Sequence, residues 1–344
     1  MAIDPGFIDL SLLWSAIIAL GVFMYVLLDG FDLGVGILFP FTSRREERDT
    51  MMNSVAPVWD GNETWLILGG ASLLGAFPLA YATLLPALYM PVMVMLFGLI
   101  FRGVAFEFRF KARQRQAWWD ASFFVGSLVA TFAQGLVLGA FITGLSVEAV
   151  PDGGWRYTGG PFDWLTPFTL MTGVGLVCGY ALLGATWLVM KTEGRLQDKA
   201  FGAARRLTAL VVLFIAVVSV WTPLAHPDIA ARWFRWPNLL YLSPVPLVTG
   251  AVVVGLWAAL ARRRETAPFV LSMLLFLLAY LGLAISLWPY VVPRALTIWD
   301  AASPPDSQLF LLVGVAVLLP IILAYTVFSY RVFRGKVADS EGYH

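Results

Sequence analysis

Two pairs of carboxylates stand inside long apolar stretches of this 344-residue sequence. Asp29 and Asp32 lie in Leu27-Leu28-Asp29-Gly30-Phe31-Asp32-Leu33-Gly34-Val35-Gly36. Asp60 and Glu63 lie in Pro57-Val58-Trp59-Asp60-Gly61-Asn62-Glu63-Thr64-Trp65. The members of each pair are three residues apart, a spacing that puts both on one face of a helix. Ionisable groups at lipid depth are costly and mark ion or proton pathways. Carboxylates held together away from water retain protons near neutral pH, the property a proton relay needs. The alternative is structural: an interfacial cluster of these acids paired with Arg102 or Arg109, Arg102 being the partner open to Asp60.

Other residues that carry chemistry elsewhere are poorly set for it here. His226 and His344 are the two histidines, one beside Pro227 and one at the C-terminus. Haem and most metal sites need histidine or thiolate ligands inside the protein, so this chain is expected to hold neither haem nor metal alone. Met90, Met93 and Met95 read as apolar filling. The glycines from Asp29 to Gly36 lack the Lys-Ser/Thr ending of a phosphate loop and fit close helix packing instead. Asn62-Glu63-Thr64 has the form of a glycosylation sequon, yet lies in an apolar stretch and is discounted. Cys178 is the single cysteine, so no disulfide forms within the chain.

The elements that position the acids follow from composition. Apolar residues make up 59% and charged residues 13%, against about 25% charged in soluble domains. A net charge of +1 gives no reason to expect nucleic acid. Apolar stretches long enough to cross a bilayer cover residues 10–38, 54–76, 79–101, 122–145, 162–190, 207–224, 243–261, 268–290 and 309–332. Lipid cannot satisfy an open backbone, so these are helices. An all-α integral membrane protein of nine transmembrane helices is expected.

Basic residues test that count. Nineteen of the 23 lysines and arginines fall in alternate connections, leaving Arg156, Arg232, Arg235 and Arg294 on the other side. The basic groups include Arg44, Arg45 and Arg48; Arg102, Arg109, Lys111, Arg113 and Arg115; and Lys191 to Arg206. This alternation sets the N-terminus outside and the C-terminus in the cytoplasm. No basic residue precedes Arg44, which favours a true first span over a cleaved signal. A span starting at residue 54 places Asp60 about 9 Å and Glu63 about 14 Å from its cytoplasmic end. The first and fifth spans share a loose pattern, Gly21-Val22 then Leu27-Leu28 against Gly173-Val174 then Leu182-Leu183. One membrane domain, 1–344, is therefore expected to comprise a four-helix bundle (1–145), a second (162–290) and a ninth helix (309–333).

Three stretches closely resemble subunit II of the cytochrome bd-type quinol oxidases. They are Asp29-Gly30-Phe31-Asp32-Leu33-Gly34-Val35-Gly36, Asn53-Ser54-Val55-Ala56-Pro57-Val58-Trp59-Asp60-Gly61-Asn62 and Phe101-Arg102-Gly103-Val104-Ala105-Phe106-Glu107-Phe108-Arg109. Residues 286–293, Trp299-Asp300-Ala301 and Pro320-Ile321-Ile322-Leu323 add to the likeness. The resemblance implies a complex in the bacterial cytoplasmic (inner) membrane that oxidises quinol and reduces dioxygen to water. Its haems, of b type with or without d, and its quinol-oxidising site would belong to a partner subunit I. This chain would complete that complex, alongside small single-span accessory subunits and membrane lipid, and contribute acids to cytoplasmic proton uptake. By motif, Asp29 and Asp60 match the family's proton-path carboxylates. Asp32 and Glu63 are carried too, although the family varies at the position of Glu63. Some relatives hold a structural quinone. The short connection between the sixth and seventh spans resembles the cyanide-insensitive branch. A proton-coupled transporter and a scaffold whose acids only pair with bases are the alternatives from other classes.

Overall fold

The computed structural model describes residues 9–112, 115–150 and 154–337; Arg113 and His344 lie outside them. Helix α1 (Leu10–Leu38) runs into a short 3-10 turn and then α2 (Arg45–Asn53), α3 (Trp59–Ala76), α4 (Pro78–Arg109) and α5 (Gln116–Thr143). A hairpin of β1 (Val147–Ala149) and β2 (Trp155–Tyr157) leads to α6 (Pro167–Lys191), α7 (Gly194–Ala225), α8 (Pro227–Phe234), α9 (Asn238–Leu242), α10 (Pro244–Ala261) and α11 (Ala267–Leu287). A second hairpin, β3 (Tyr290–Val292) with β4 (Leu296–Thr297), precedes α12 (Pro305–Val332).

Among the described residues, eight helices are long and apolar enough to cross a membrane. They correspond to every expected span except the second, and the chain is a multi-pass membrane protein. The second stretch differs at its start. Residues 54–58 form turns, and α3 begins only at Trp59. Pro57 has no N–H to give to a preceding helical turn, and the first turns of α3 carry Asp60, Asn62 and Glu63, which lower its apolarity. Asp60 is therefore in the first turn, and Glu63 is about 6 Å into the helix, not about 14 Å.

Local signals explain where several helices start. Asp9 caps α1, its carboxylate accepting from the Leu12 amide at 3.0 Å, which satisfies one of the orphan donors of a first turn. Its other oxygen accepts from the Trp299 indole at 2.8 Å. Trp299 and then the Leu12 amide hold this carboxyl below the usual range. Thr166 and Thr169 form a reciprocal capping box at α6.

Packing puts opposite helix termini together. At one end, Trp14 donates to the Gln308 carbonyl at 3.2 Å, the Ser303 amide to Ala76 at 2.8 Å, and Arg294 to Thr143 at 2.8 Å. The start of α1, the ends of α3 and α5 and the start of α12 therefore lie together. The other end carries most of the ionic connections, although Arg294 also pairs with Asp228 at 3.3 Å at the first. Arg109 pairs with Asp49 at 2.6 Å and Asp120 at 2.5 Å, Arg48 with Asp120 at 2.8 Å, and Lys199 with Glu47 at 2.5 Å.

Helix α1 sits at the centre, packed against α3, α5 and α6. Its crossing with α6 is backbone on backbone. A Cβ at Gly34 would overlap the Tyr180 carbonyl, and one at Gly184 would overlap the Gly34 backbone. Small residues allow such approaches in membranes, as the glycines of this segment led us to expect. The contact fixes the rotation of α1, and with it the direction of Asp29 and Asp32.

Candidate functional site

Helix α1 delivers Asp29 and Asp32, both 0% exposed, to the space between α3 and α4. From the opposite wall comes Arg102 of α4, also 0% exposed. One Arg102 nitrogen pairs with Asp29 and the other with the Glu63 carboxylate at 2.8 Å. The Glu63 side chain is 27% exposed, so it joins the dry cluster to the surface of the chain. The guanidinium also lies 5.9 Å from the centre of the Trp59 ring, which stacks on Phe106 at 4.7 Å. A cation over an aromatic face gains electrostatically once desolvated, so Trp59 and Phe106 help hold the arginine in place.

Asp32 is held differently. Its Oδ2 accepts from the Asn62 amide at 2.7 Å. The same Asn62 nitrogen lies 3.3 Å from the Leu28 carbonyl, and Asn62 Oδ1 accepts from the Tyr330 hydroxyl at 2.9 Å. Asn62 thereby ties α1, α3 and α12 together. A further polar group adjoins one turn before Asp29: Gln134 donates to the Tyr25 hydroxyl at 2.8 Å and accepts from Tyr180 at 2.9 Å. Among the described residues, three buried polar atoms in the cluster have no hydrogen-bond partner: Asp29 Oδ2, Asp32 Oδ1 and Arg102 Nε. Groups left so in a dry interior are costly, and such a cost is accepted mostly where function needs it.

Depth follows from helix rise. Asp29 stands about 14 Å before the end of α1, and Arg102 about 10 Å before the end of α4. The cluster is thus well within the bundle.

Four of the expected site residues come together and two do not. Asp29, Asp32, Glu63 and Arg102 form the cluster. Asp60 is exposed, one helical turn from Glu63, and among the described residues Arg102 pairs with Asp29 and Glu63 instead of with it. Asp60 stands in the exposed first turn of α3, one turn nearer the helix end than Glu63. Arg109 does not reach the predicted acids either; it serves Asp49 and Asp120 at the helix ends. Asn62, Tyr330, Tyr25, Gln134 and Tyr180 were missed as site residues. Asn62 and Gln134 were recoverable as amides inside apolar runs. The tyrosines gave no signal, because tyrosine is common in membrane helices.

The donor set does not fit a haem. His226 follows the last residue of α7, outside the bundle interior, and Cys178 is a lone half-buried thiol on α6. Among the described residues no group of three or more His, Cys, Asp or Glu is arranged to hold a metal ion.

Comparison with known proteins shows the family. The family model for cytochrome bd terminal oxidase subunit II matches residues 10–333. The chain is 32% identical to cytochrome bd-I ubiquinol oxidase subunit 2 of Escherichia coli K12, over 96% of each chain. It is 30% identical to cytochrome bd ubiquinol oxidase subunit 2 of Bacillus subtilis, over 96% of this chain and 97% of that one. Its fold matches a chain in the bd oxidase structure from Geobacillus thermodenitrificans with a TM-score of 0.74 at 18% identity, covering 95% of this chain and 99% of the other.

Proposed function

This chain belongs to the cytochrome bd terminal oxidase subunit II family, and from that premise we propose that it stabilises a haem-bearing subunit I and conducts protons to it. The complex would oxidise quinol and reduce dioxygen to water in a bacterial cytoplasmic membrane. The haems would be the partner's, and this chain's residues would move protons only. Nine spans are proposed, with α3 as the second, the N-terminus outside and the ionic helix ends in the cytoplasm. Helices α1, α3, α4 and α5 would form one four-helix group, α6, α7, α10 and α11 another, with α12 as the ninth span.

The observation that carries the reading is the buried cluster itself. Two carboxylates, Asp29 and Glu63, share one guanidinium, a third, Asp32, is buried beside them on Asn62, and among the described residues Asp29 and Asp32 each keep one unpartnered oxygen. A scaffold needs none of this: a purely structural ion pair would satisfy both oxygens, and apolar packing would serve stability as well. Reducing oxygen inside a membrane consumes protons, and titratable stepping stones must carry them through a dry bundle. Asp29 and Asp32 would store protons in the interior. Glu63, half-turned to the surface, and Asp60, fully on it, would pass them to the partner.

Asn in place of Asp29 or of Asp60 keeps volume and hydrogen bonding but cannot exchange a proton. Each variant is expected to assemble with its full haem content and to lose at least tenfold in quinol-supported oxygen consumption, about 1.4 kcal/mol on the limiting barrier. Normal turnover by both variants with full haem would overturn the relay.

A further inference from the structure

A cavity of about 430 Å³ opens where α3 begins and α6 and α12 end. Its walls include Val58, Trp187, Lys191, Tyr330, Phe333 and Lys336. Beyond Val58 and Tyr330 lies a second void of about 10 Å³, which those two residues also line. That space matches a single water molecule, and a buried water needs two to four polar partners. Asn62, Thr326, Ser329 and Tyr330 stand around it. From Asn62 one hydrogen bond reaches Asp32, whose other oxygen is buried and unpartnered. A large cavity with mostly apolar walls, carrying Lys191, Arg334 and Lys336, and a carboxylate with an unpartnered oxygen are thus separated by a one-water void and one amide side chain.

The amide matters because of its chemistry. Asparagine neither takes up nor releases a proton at neutral pH, so in this position it interrupts a proton path. Its orientation is fixed from both sides, by Tyr330 on Oδ1 and by Asp32 and Leu28 on Nδ2. Conduction needs Asn62 to swing aside, and the Tyr330 hydroxyl is the bond that resists this. We propose that the cavity is the solvent-filled mouth through which protons reach Asp32, with Asn62 and Tyr330 as the gate between them. In the step itself, a hydronium in the widened void loses one O–H bond and Asp32 gains one on Oδ1, leaving water and a neutral carboxyl. No electron moves. The neighbouring free oxygen, Asp29 Oδ2, is the next acceptor on the same helix face. This inference rests on the proton-path reading above and adds its point of access and its gate.

The test uses the assembled oxidase in inside-out vesicles, with Val58→Cys and Met190→Cys, both on the cavity wall, as separate variants and a small cationic methanethiosulfonate as the probe. The parent chain with its Cys178 is the control. Both variants are expected to be modified, to lose at least fivefold in oxygen consumption relative to the unmodified variant, and to recover when the mixed disulfide is reduced. Absence of modification, or modification without loss of turnover, overturns the proposal. Should either variant fail to assemble, Tyr330→Phe gives a second measurement, since its ring contacts with Phe31 and Trp187 remain. Hydrogen–deuterium exchange of the Asp32 carboxyl, assigned in the infrared by its loss in Asp32→Asn, is expected to speed up at least threefold. Unchanged exchange overturns the gate. Loss of turnover in Asp29→Asn beside a harmless block of the cavity would sink this inference alone; harmless Asp29→Asn and Asp60→Asn together would sink both.

Discussion

Replacing Arg102 with methionine removes the single positive charge of the buried cluster while keeping length and apolar bulk. Asp29, 0% exposed, then has no cationic partner. It has two options, to stay ionised in a dry site or to take up a proton. The first costs several kcal/mol. The second costs, at pH 7, about 1.4 kcal/mol for each unit above a free aspartate value of about 3.9, or about 4 kcal/mol. Proton uptake is therefore the upper limit of the penalty, and it is a large fraction of a total stability of about 5–15 kcal/mol. Glu63 adds less, because its side chain is 27% exposed and water can solvate it. The pH dependence follows by linkage. The folded variant would hold the Asp29 proton while the unfolded chain releases it, so the folded state binds more protons and stability falls as pH rises. At pH 5.5 the penalty shrinks to about 2 kcal/mol. Unfolding of the assembled oxidase in mixed dodecyl sulfate and maltoside micelles at the two pH values measures this. The variant should be strongly destabilised at pH 7 and partly rescued at pH 5.5, and Asp29→Asn in the same chain should recover most of the loss. Wild-type unfolding midpoints for Arg102→Met at both pH values would refute the reasoning.

Further outcomes follow from other parts of the fold. Gly34→Ala or Gly184→Ala drives a methyl into the facing backbone and should cost about 1–3 kcal/mol and lower the yield of complex, while Gly70→Ala, with nothing within 4 Å, should assemble normally. Asp9→Ala should cost about 1 kcal/mol through the lost α1 cap, seen as a lower midpoint in the same micelles. Because the Asp9 carboxyl is held below its ordinary value, the wild-type contribution is present above the free value and fades as acid titrates it. Cysteines placed at Glu148 and Lys199 should label from opposite faces of the membrane; labelling from one face would remove the nine-span arrangement. Expressed without its partner, the chain should purify without haem absorbance, for want of an axial ligand inside the bundle.

Much of this was legible because lipid imposes strong local rules. The eight apolar helices were readable from length and hydropathy alone, and the 29-residue α1 matches its expected bounds of 10–38. The glycine-rich Asp29–Gly36 segment predicted close packing, because no other residue type permits backbone contact. What failed was the start of α3. Residues 54–58 are mostly apolar, and hydropathy cannot tell a buried turn from a helix, although Pro57 was a signal. Moving that start by five residues moved Asp60 from the interior to the surface. Partners were the other gap: Arg102 lies 73 positions from Asp29, and Tyr330 lies 268 from Asn62. Nothing local in a sequence specifies such meetings. The choice of Arg102 over Arg109 as the buried cation depends on where along α4 each faces α1.

The separation of Asp29 and Arg102 also dictates a timetable for biogenesis. The two are 73 residues apart, and chains grow at about 5–20 residues per second, so α1 waits roughly 4–15 s after synthesis before its cation exists. During that interval a helix carrying two carboxylates cannot settle stably among lipid tails. It must stay beside the insertion channel or in contact with water until α4 emerges. The segments from α1 to α4 would therefore enter the bilayer as a cohort, and a stall between Asp29 and Arg102 would leave a chain that quality-control proteases find still exposed.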